Sequence, residues 1–203
     1  MGRSQPAPTV KAMLQRKRTR LLGFDYAQPG AYFITTVAQD RRCVFGEVKT
    51  GVIRLFGYGE ILVDHWHWLH QQYSYLTLDA FVVMPNHFHA IININTDPEW
   101  AGRDRPLRTE TIKSLSQLIG AFKTATSKKV HQLGMASFAW QRSFYDRVIR
   151  NDEERNRIRE YIQTNPLRWE VDIENEIHTA TASHDRPRIE NVHGYYDKII
   201  NPS

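Results

Sequence analysis

The sequence predicts an α+β sandwich, an antiparallel sheet with helices on one face, and three observations predict it. Strand-like runs and helical periodicities follow one another in the order β, α, β, β, α, β, α along 203 residues. That is the order of a ferredoxin-like or RRM-like sandwich. The run from His87 to Asn95 alternates: Phe88, Ala90, Ile92 and Ile94 share an apolar face, while His87, His89, Ile91, Asn93 and Asn95 share a largely polar one. A sheet buried on both sides would not alternate in this way, so one face is predicted to lack the two packed helices and to receive the later helix that carries Tyr161. Apolar content of 41% and aromatic content of 11% predict one soluble domain with a real core.

The elements follow in order. Residues 1–22 read as a basic, flexible N-terminal arm. Pro29-Gly30 marks a turn, and Ala31 to Gln39 is the first strand, rich in aromatic and β-branched residues. Cys43 to Val48 reads as a short strand or a loop. Tyr58 to Gln72 is the first helix, with Ile61, Leu62, His65, Trp68 and Leu69 at helical spacing. Thr77 to Met84 and His87 to Asn95 are strands so close together that they pair as a hairpin around Pro85-Asn86. Residues 96–108, with two prolines and a glycine, form a loop. Thr111 to Val130 is the second helix, with Ile112, Leu115, Leu118, Ile119, Phe122 and Ala125 on one side. Ser143 to Ile149 is the last strand. Asn151 or Asp152 caps a third helix that ends near Asn165, because Pro166 disfavours a helical residue before it. The domain spans 23–170, and 171–203 read as a polar C-terminal tail.

Charge is unevenly spread. The net charge is +5, yet Arg3, Lys11, Arg16, Lys17, Arg18 and Arg20 all precede the first acid, Asp25. Such an arm is either a nucleic-acid contact or a solvated leader. Lys123 and its neighbours on the second helix read the same two ways. The single cysteine, Cys43, excludes an internal disulfide and suits a reducing compartment. No apolar run has signal-peptide or membrane-span length, so a cytoplasmic location is expected.

Two groups of residues carry chemistry. His87 and His89 occupy neighbouring positions on one strand face, where two imidazoles can grip one metal ion. The plain alternative is a pair of hydrogen-bonded histidines. His65 and His67 have the same spacing but fall on a helix, where positions two apart point roughly 200° apart. Tyr161 and Asn165 lie four residues apart on the third helix and share a face. Their plain readings are a half-buried tyrosine and a cap before proline.

Together these stretches resemble a known family. Pro85-Asn86-His87-Phe88-His89 resembles the His–hydrophobic–His motif of HUH endonucleases. Tyr161-Ile162 with Asn165-Pro166 resembles the tyrosine helix of IS200/IS605-type single-tyrosine transposases. Gly30 to Thr35, Ser114 to Ile119 with Phe122-Lys123, and Val148 to Asn151 resemble the REP-associated tyrosine transposase branch. The resemblance covers roughly residues 16–170. It implies Tyr161 as a nucleophile that forms a 5′-phosphotyrosine, and Mg²⁺ or Mn²⁺ held by His87, His89 and Asn165. Many insertion-sequence relatives have glutamine where Asn165 stands. The implied partner is single-stranded DNA beside a REP-type hairpin, with Arg16, Lys17, Arg18, Arg20 and Lys123 as DNA contacts. The chain would act as a monomer or homodimer. The alternatives are a domesticated DNA-binding module without cleavage and a metal-dependent phosphodiesterase that uses water.

Overall fold

The computed structural model describes residues 26–95, 112–175 and 192–200. Its main sheet is antiparallel and contains β1 (Gly30–Val37), β4 (Leu76–Val83), β5 (His87–Ile94) and β6 (Tyr145–Ile149), in the order β4-β5-β1-β6. Helix α1 (Gly57–Gln72) joins β1 to β4, and α2 (Leu115–Gln132) joins β5 to β6. Both return on the same face. This is the ferredoxin-like arrangement the element order predicts. A separate hairpin pairs β2 (Gly46–Lys49) with β3 (Val52–Leu55). Thr50 and Gly51 turn it with φ of 49° and 75°, the left-handed pair a two-residue hairpin needs. β3 was not foreseen, because four residues carry too little periodicity to read.

The apolar face of β5 meets the helices as expected. Phe88, Ala90, Ile92 and Ile94 pack with Tyr32 and Ile34 against Leu62, Trp66 and Leu69 of α1 and Leu118, Ile119 and Phe122 of α2. The Trp66 ring lies 5.0 Å from Phe88 and 5.4 Å from Phe122, edge to face. Truncating such a ring costs roughly 3–5 kcal/mol. α2 starts at Leu115 rather than Thr111 because Ser114 and Gln117 form a reciprocal capping box. β1 stops at Val37 because the chain turns through Gln39–Arg41, with Asp40 and Arg41 at φ of 55° and 49°.

The second face of the sheet receives the tyrosine helix, as expected, and is closed by one further helix. Helix α3 (Asp152–Thr164) and helix α4 (Val192–Ile200) lie across it. They form a second core from Ala31, Phe33, Ile91, Tyr145, Ile158, Tyr161, Ile162, Tyr196 and Ile200. The signal for this cover was in β1, whose Tyr32 to Ile34 are apolar on successive positions and fully buried. The stretch read as a polar tail therefore contributes a helix to the fold, since Tyr196 and Ile200 are its inward residues.

Two ion pairs tie α3 across the sheet. Arg147 of β6 bonds Glu154 at 2.6 Å, and Arg159 grips Asp79 of β4 through Nε at 2.9 Å and Nη2 at 2.7 Å. β4 and β6 are the two edge strands, so α3 is held at both sides. The register of β4 shifts between Leu78 and Phe81, and Asp79 sits in that bulge. No helix among the described residues is long and apolar enough to cross a membrane.

Candidate functional site

The turn before β5 sets the first half of the site. Pro85-Asn86 closes the β4–β5 hairpin, with the Met84 N–H donating to the His87 carbonyl at 2.8 Å. Asn86 is fully buried. It donates both amide hydrogens, to the Arg41 carbonyl at 3.0 Å and the Glu174 carbonyl at 2.6 Å. Its Oδ1 therefore only accepts, and the 2.8 Å contact with His87 Nδ1 assigns the proton to that nitrogen. His87 Nε2 is left as a bare lone pair, buried and without a hydrogen-bond partner.

His89 follows two residues on, its ring centroid 4.5 Å from that of His87. Its Nδ1 lies 2.8 Å from Thr35 Oγ1 on β1, which leaves Nε2 facing the Tyr161 hydroxyl at 3.3 Å. Burial pushes the His87 imidazole down to about 4; the Glu174 carboxylate and the Asn165 amide push back upward, and Arg41 adds to the fall. Burial, then the neighbouring His87, holds His89 well below its ordinary value. Both rings are thus neutral near pH 7, the form that offers a lone pair.

Helix α3 brings the second half. Asn151 caps it, its Oδ1 accepting from the Glu154 N–H at 2.8 Å, and Asp152, Glu153 and Glu154 fill its first turn. Pro166 cannot donate to the helix ladder, so the chain tightens into a 3-10 segment, Asn165–Val171. Asn165 keeps helical angles (φ −57°, ψ −42°) instead of turning out, a difference from the expectation set by Pro166. The tight segment carries the chain back to the sheet at Asp172. Asp172 is buried, and its carboxylate accepts from the Glu174 N–H at 2.7 Å and from Asn165 Nδ2 at 3.3 Å.

The structure therefore brings His87, His89, Tyr161 and Asn165 together, and adds Asp172. One potential ligand atom from each of His87, His89 and Asp172 lies within 4.8 Å of the other two. Asn165 Oδ1 is buried nearby with no partner. Two neutral imidazoles, a carboxylate and an amide oxygen form a donor set suited to a divalent cation. The orphaned His87 Nε2 and Asn165 Oδ1 fit that use, since two acceptors cannot satisfy each other. Asp172 carried no sequence signal, being one acid in a mixed stretch beyond the helix.

Tyr161 is 3% exposed. Its ring stands edge-on to Phe33 at 6.2 Å and to Tyr196 of α4 at 6.0 Å. Burial holds its hydroxyl well above the ordinary phenol range; Asp172 and Tyr195 add to this and the Asn165 amide opposes it.

Lys123 is elsewhere. It lies on α2, across the sheet from Tyr161, and donates to the Gln141 and Ser143 carbonyls at 2.9 and 3.0 Å. Its ammonium sits 5.8 Å from the Trp140 ring centre and 5.9 Å from that of Phe144. These contacts anchor the segment before β6. Arg16, Lys17, Arg18 and Arg20 lie outside the described residues. His65 and His67 do not meet: His65 Nδ1 contacts the Ile61 carbonyl at 2.8 Å, and His67 packs on Phe81.

Known proteins share this frame. An uncharacterized protein of Haemophilus influenzae is 31% identical over 166 residues, covering 77% of this chain and 91% of the relative. A second protein of that organism, named "Putative REP-associated tyrosine transposase", is 26% identical over 145 residues, covering 71% of this chain and 74% of its own. Among solved structures, a REP-associated tyrosine transposase bound to a REP hairpin has the same fold, with a TM-score of 0.52 and 20% identity over 75% of this chain and 74% of that one. No family model matches the sequence. With the tyrosine helix and the His-Phe-His strand meeting in one buried cluster, the chain is similar in sequence and in fold to the REP-associated tyrosine transposases.

Proposed function

We propose that this protein cuts and rejoins single-stranded DNA beside a short hairpin, with Tyr161 as nucleophile. One observation carries the reading: the Tyr161 hydroxyl lies 3.3 Å from His89 Nε2, inside the cluster that His87, Asn165 and Asp172 complete. The Tyr161 oxygen attacks the phosphorus, the 3′ oxygen leaves and takes up a proton, and the 5′ end stays on the enzyme as a phosphotyrosine. The bond energy is conserved, so a 3′-hydroxyl can reverse the step without ATP. Tyr161 meets the phosphate as a buried phenol that gives up its proton as the bond to phosphorus forms, and the His89 Nε2 lone pair facing it is the one a cation would take. His87 and His89, with Asn165 or Asp172, would hold Mg²⁺ or Mn²⁺, which when bound offsets charge on a non-bridging phosphate oxygen. The donors mix imidazole with oxygen, which favours Mn²⁺ over Mg²⁺. A hairpin as partner is taken from the related structure, whose transposase is bound to one.

A second reading is a DNA-binding module that does not cut. The observation favouring it is the cover over Tyr161, which Tyr196 of α4 packs against. In the cutting reading, α4 has to shift before DNA reaches the hydroxyl. A denaturing gel of the full chain with labelled single-stranded hairpin DNA and Mn²⁺ separates the readings. A covalent protein–DNA band supports the proposal. Bound but uncut DNA supports the binding module. Cut DNA without an adduct overturns Tyr161 as nucleophile in favour of water.

A further inference from the structure

We propose that Asp172 is an anionic ligand of the divalent cation, and that Asn165 serves it as a positioning residue. The inference rests on the metal-dependent reading above and changes its ligand set.

Asp172 and Glu174 are two buried carboxylates in one short turn, and they differ in their company. Glu174 accepts from Arg41 Nε at 2.8 Å, a charge for a charge. Among the described residues no lysine or arginine forms an ion pair with Asp172; its bonds come from a backbone N–H and an amide. Arg41 is in contact with Glu174 and acts on Asp172 only from a distance, and a buried carboxylate with no cation in contact is costly. The atoms facing it are lone pairs on His87 and His89 within 4.8 Å, which supply no positive charge while neutral. A divalent cation among the three atoms balances the carboxylate and satisfies His87 Nε2 at once.

The carboxylate is also held in place before any ion arrives. The Glu174 N–H fixes Asp172 Oδ1, and Asn165 Nδ2 bonds Oδ2. Glu174 is itself locked through its carbonyl to Asn86, the residue that orients His87. One network therefore positions both a nitrogen and an oxygen donor, the arrangement in which outer groups aim ligands at a metal. Asn165 positions the carboxylate through its nitrogen, and its oxygen stays beside the same cluster as a neutral donor. An amide ligand adds no charge; a carboxylate does, and hard cations such as Mg²⁺ and Mn²⁺ prefer it.

The test is Mn²⁺ binding to the full chain without DNA, by isothermal titration and by the manganese electron-paramagnetic-resonance signal. Asp172→Asn keeps the shape and the bond from the Glu174 N–H but removes the charge. We expect binding about tenfold weaker or worse, and loss of the Mn²⁺-induced rise in Tm. Asn165→Ala should weaken binding less than Asp172→Asn does. Far-ultraviolet circular dichroism matching the wild type marks both variants as folded. If Asp172→Asn binds Mn²⁺ within twofold of wild type while His87→Ala does not bind, Asp172 is no ligand and the functional reading stands. If the wild-type chain binds no Mn²⁺ at millimolar concentration, the metal-dependent reading itself falls.

Discussion

The bond from His87 Nδ1–H to Asn86 Oδ1, 2.8 Å long, decides which nitrogen of His87 is available for chemistry. It works because Asn86 has already committed both its hydrogens to the carbonyls of Arg41 and Glu174. Removing the amide frees the ring to take the other tautomer, and leaves two carbonyls and a ring nitrogen unserved. We expect Asn86→Ala to weaken Mn²⁺ binding about 10- to 100-fold and to cost about 1–3 kcal/mol of stability. Titration calorimetry and a denaturant melt measure the two effects. Unchanged metal affinity in a folded variant would show that the tautomer is set by something else.

Tyr161→Phe removes one oxygen and little packing. Phe33 and Tyr196 stand against the ring rather than the hydroxyl. We expect the variant to fold, to bind hairpin DNA and Mn²⁺ like the wild type, and to form no covalent adduct. Peptide mass spectrometry of wild-type adduct should find the nucleotide on Tyr161. A nucleotide on Tyr145, Tyr195 or Tyr196 instead would overturn the assignment, and all three rings lie close enough to make the check necessary.

The pair between Asp79 and Arg159 positions the tyrosine helix without touching the site. Arg159 is two residues from Tyr161, and its guanidinium grips both oxygens of Asp79. A half-exposed pair contributes roughly 1 kcal/mol or less to stability. Orientation is more sensitive, since a misplacement of about 1 Å can cost roughly 100-fold in rate. Arg159→Ala should therefore slow adduct formation at saturating DNA while Kd for DNA stays within about twofold, as a single lost exposed charge allows. Arg159→Lys should rescue only in part, because it grips one oxygen at a time. A fall in affinity with an unchanged rate would place Arg159 among the DNA contacts.

Lys123 yields a pH prediction. Burial pushes its ammonium down to about 8 from an unfolded value of 10.5. Between those values the unfolded chain holds a proton that the folded chain has released, so stability should rise with pH across that window. Lys123→Met should remove the rise, read by urea melts at pH 8 and pH 10. The same variant should leave the salt dependence of hairpin binding unchanged, because the nitrogen already serves two carbonyls. A flatter salt slope would restore Lys123 as a phosphate contact.

The fold was legible where local signals agreed. Alternation in β5, helical spacing in α1 and α2, and the cap at Asn151 each matched an element within a few residues. The membership of the two faces of β5 was legible, and His87, His89, Tyr161 and Asn165 come to lie near one another. The tyrosine helix lies on the second face as expected; the further cover by α4 was not foreseen, because the polar residues of β5 outweigh the two-sided apolar run of β1. The helix Val192–Ile200 hides in polar sequence, since only its inward residues need to be apolar. The surroundings of Lys123 were hidden for the opposite reason: a lysine stem packs readily on aromatic rings, and nothing in its spacing announces the two carbonyls it reaches.

By itself the sequence determined the order of elements, the strand face that holds two imidazoles, and the helix face that holds a phenol and an amide. Those are properties of local periodicity, 2 on a strand and about 3.6 on a helix. Only the tertiary structure decided that the two faces meet at 3.3 Å, that α4 closes over them, and that Asp172 joins the cluster. Asp172 reaches His87 from eighty-five positions away because Pro166 tightens the chain into a 3-10 segment that returns to the sheet. That return depends on packing against the sheet rather than on a repeating pattern, so no reading of spacing could supply it.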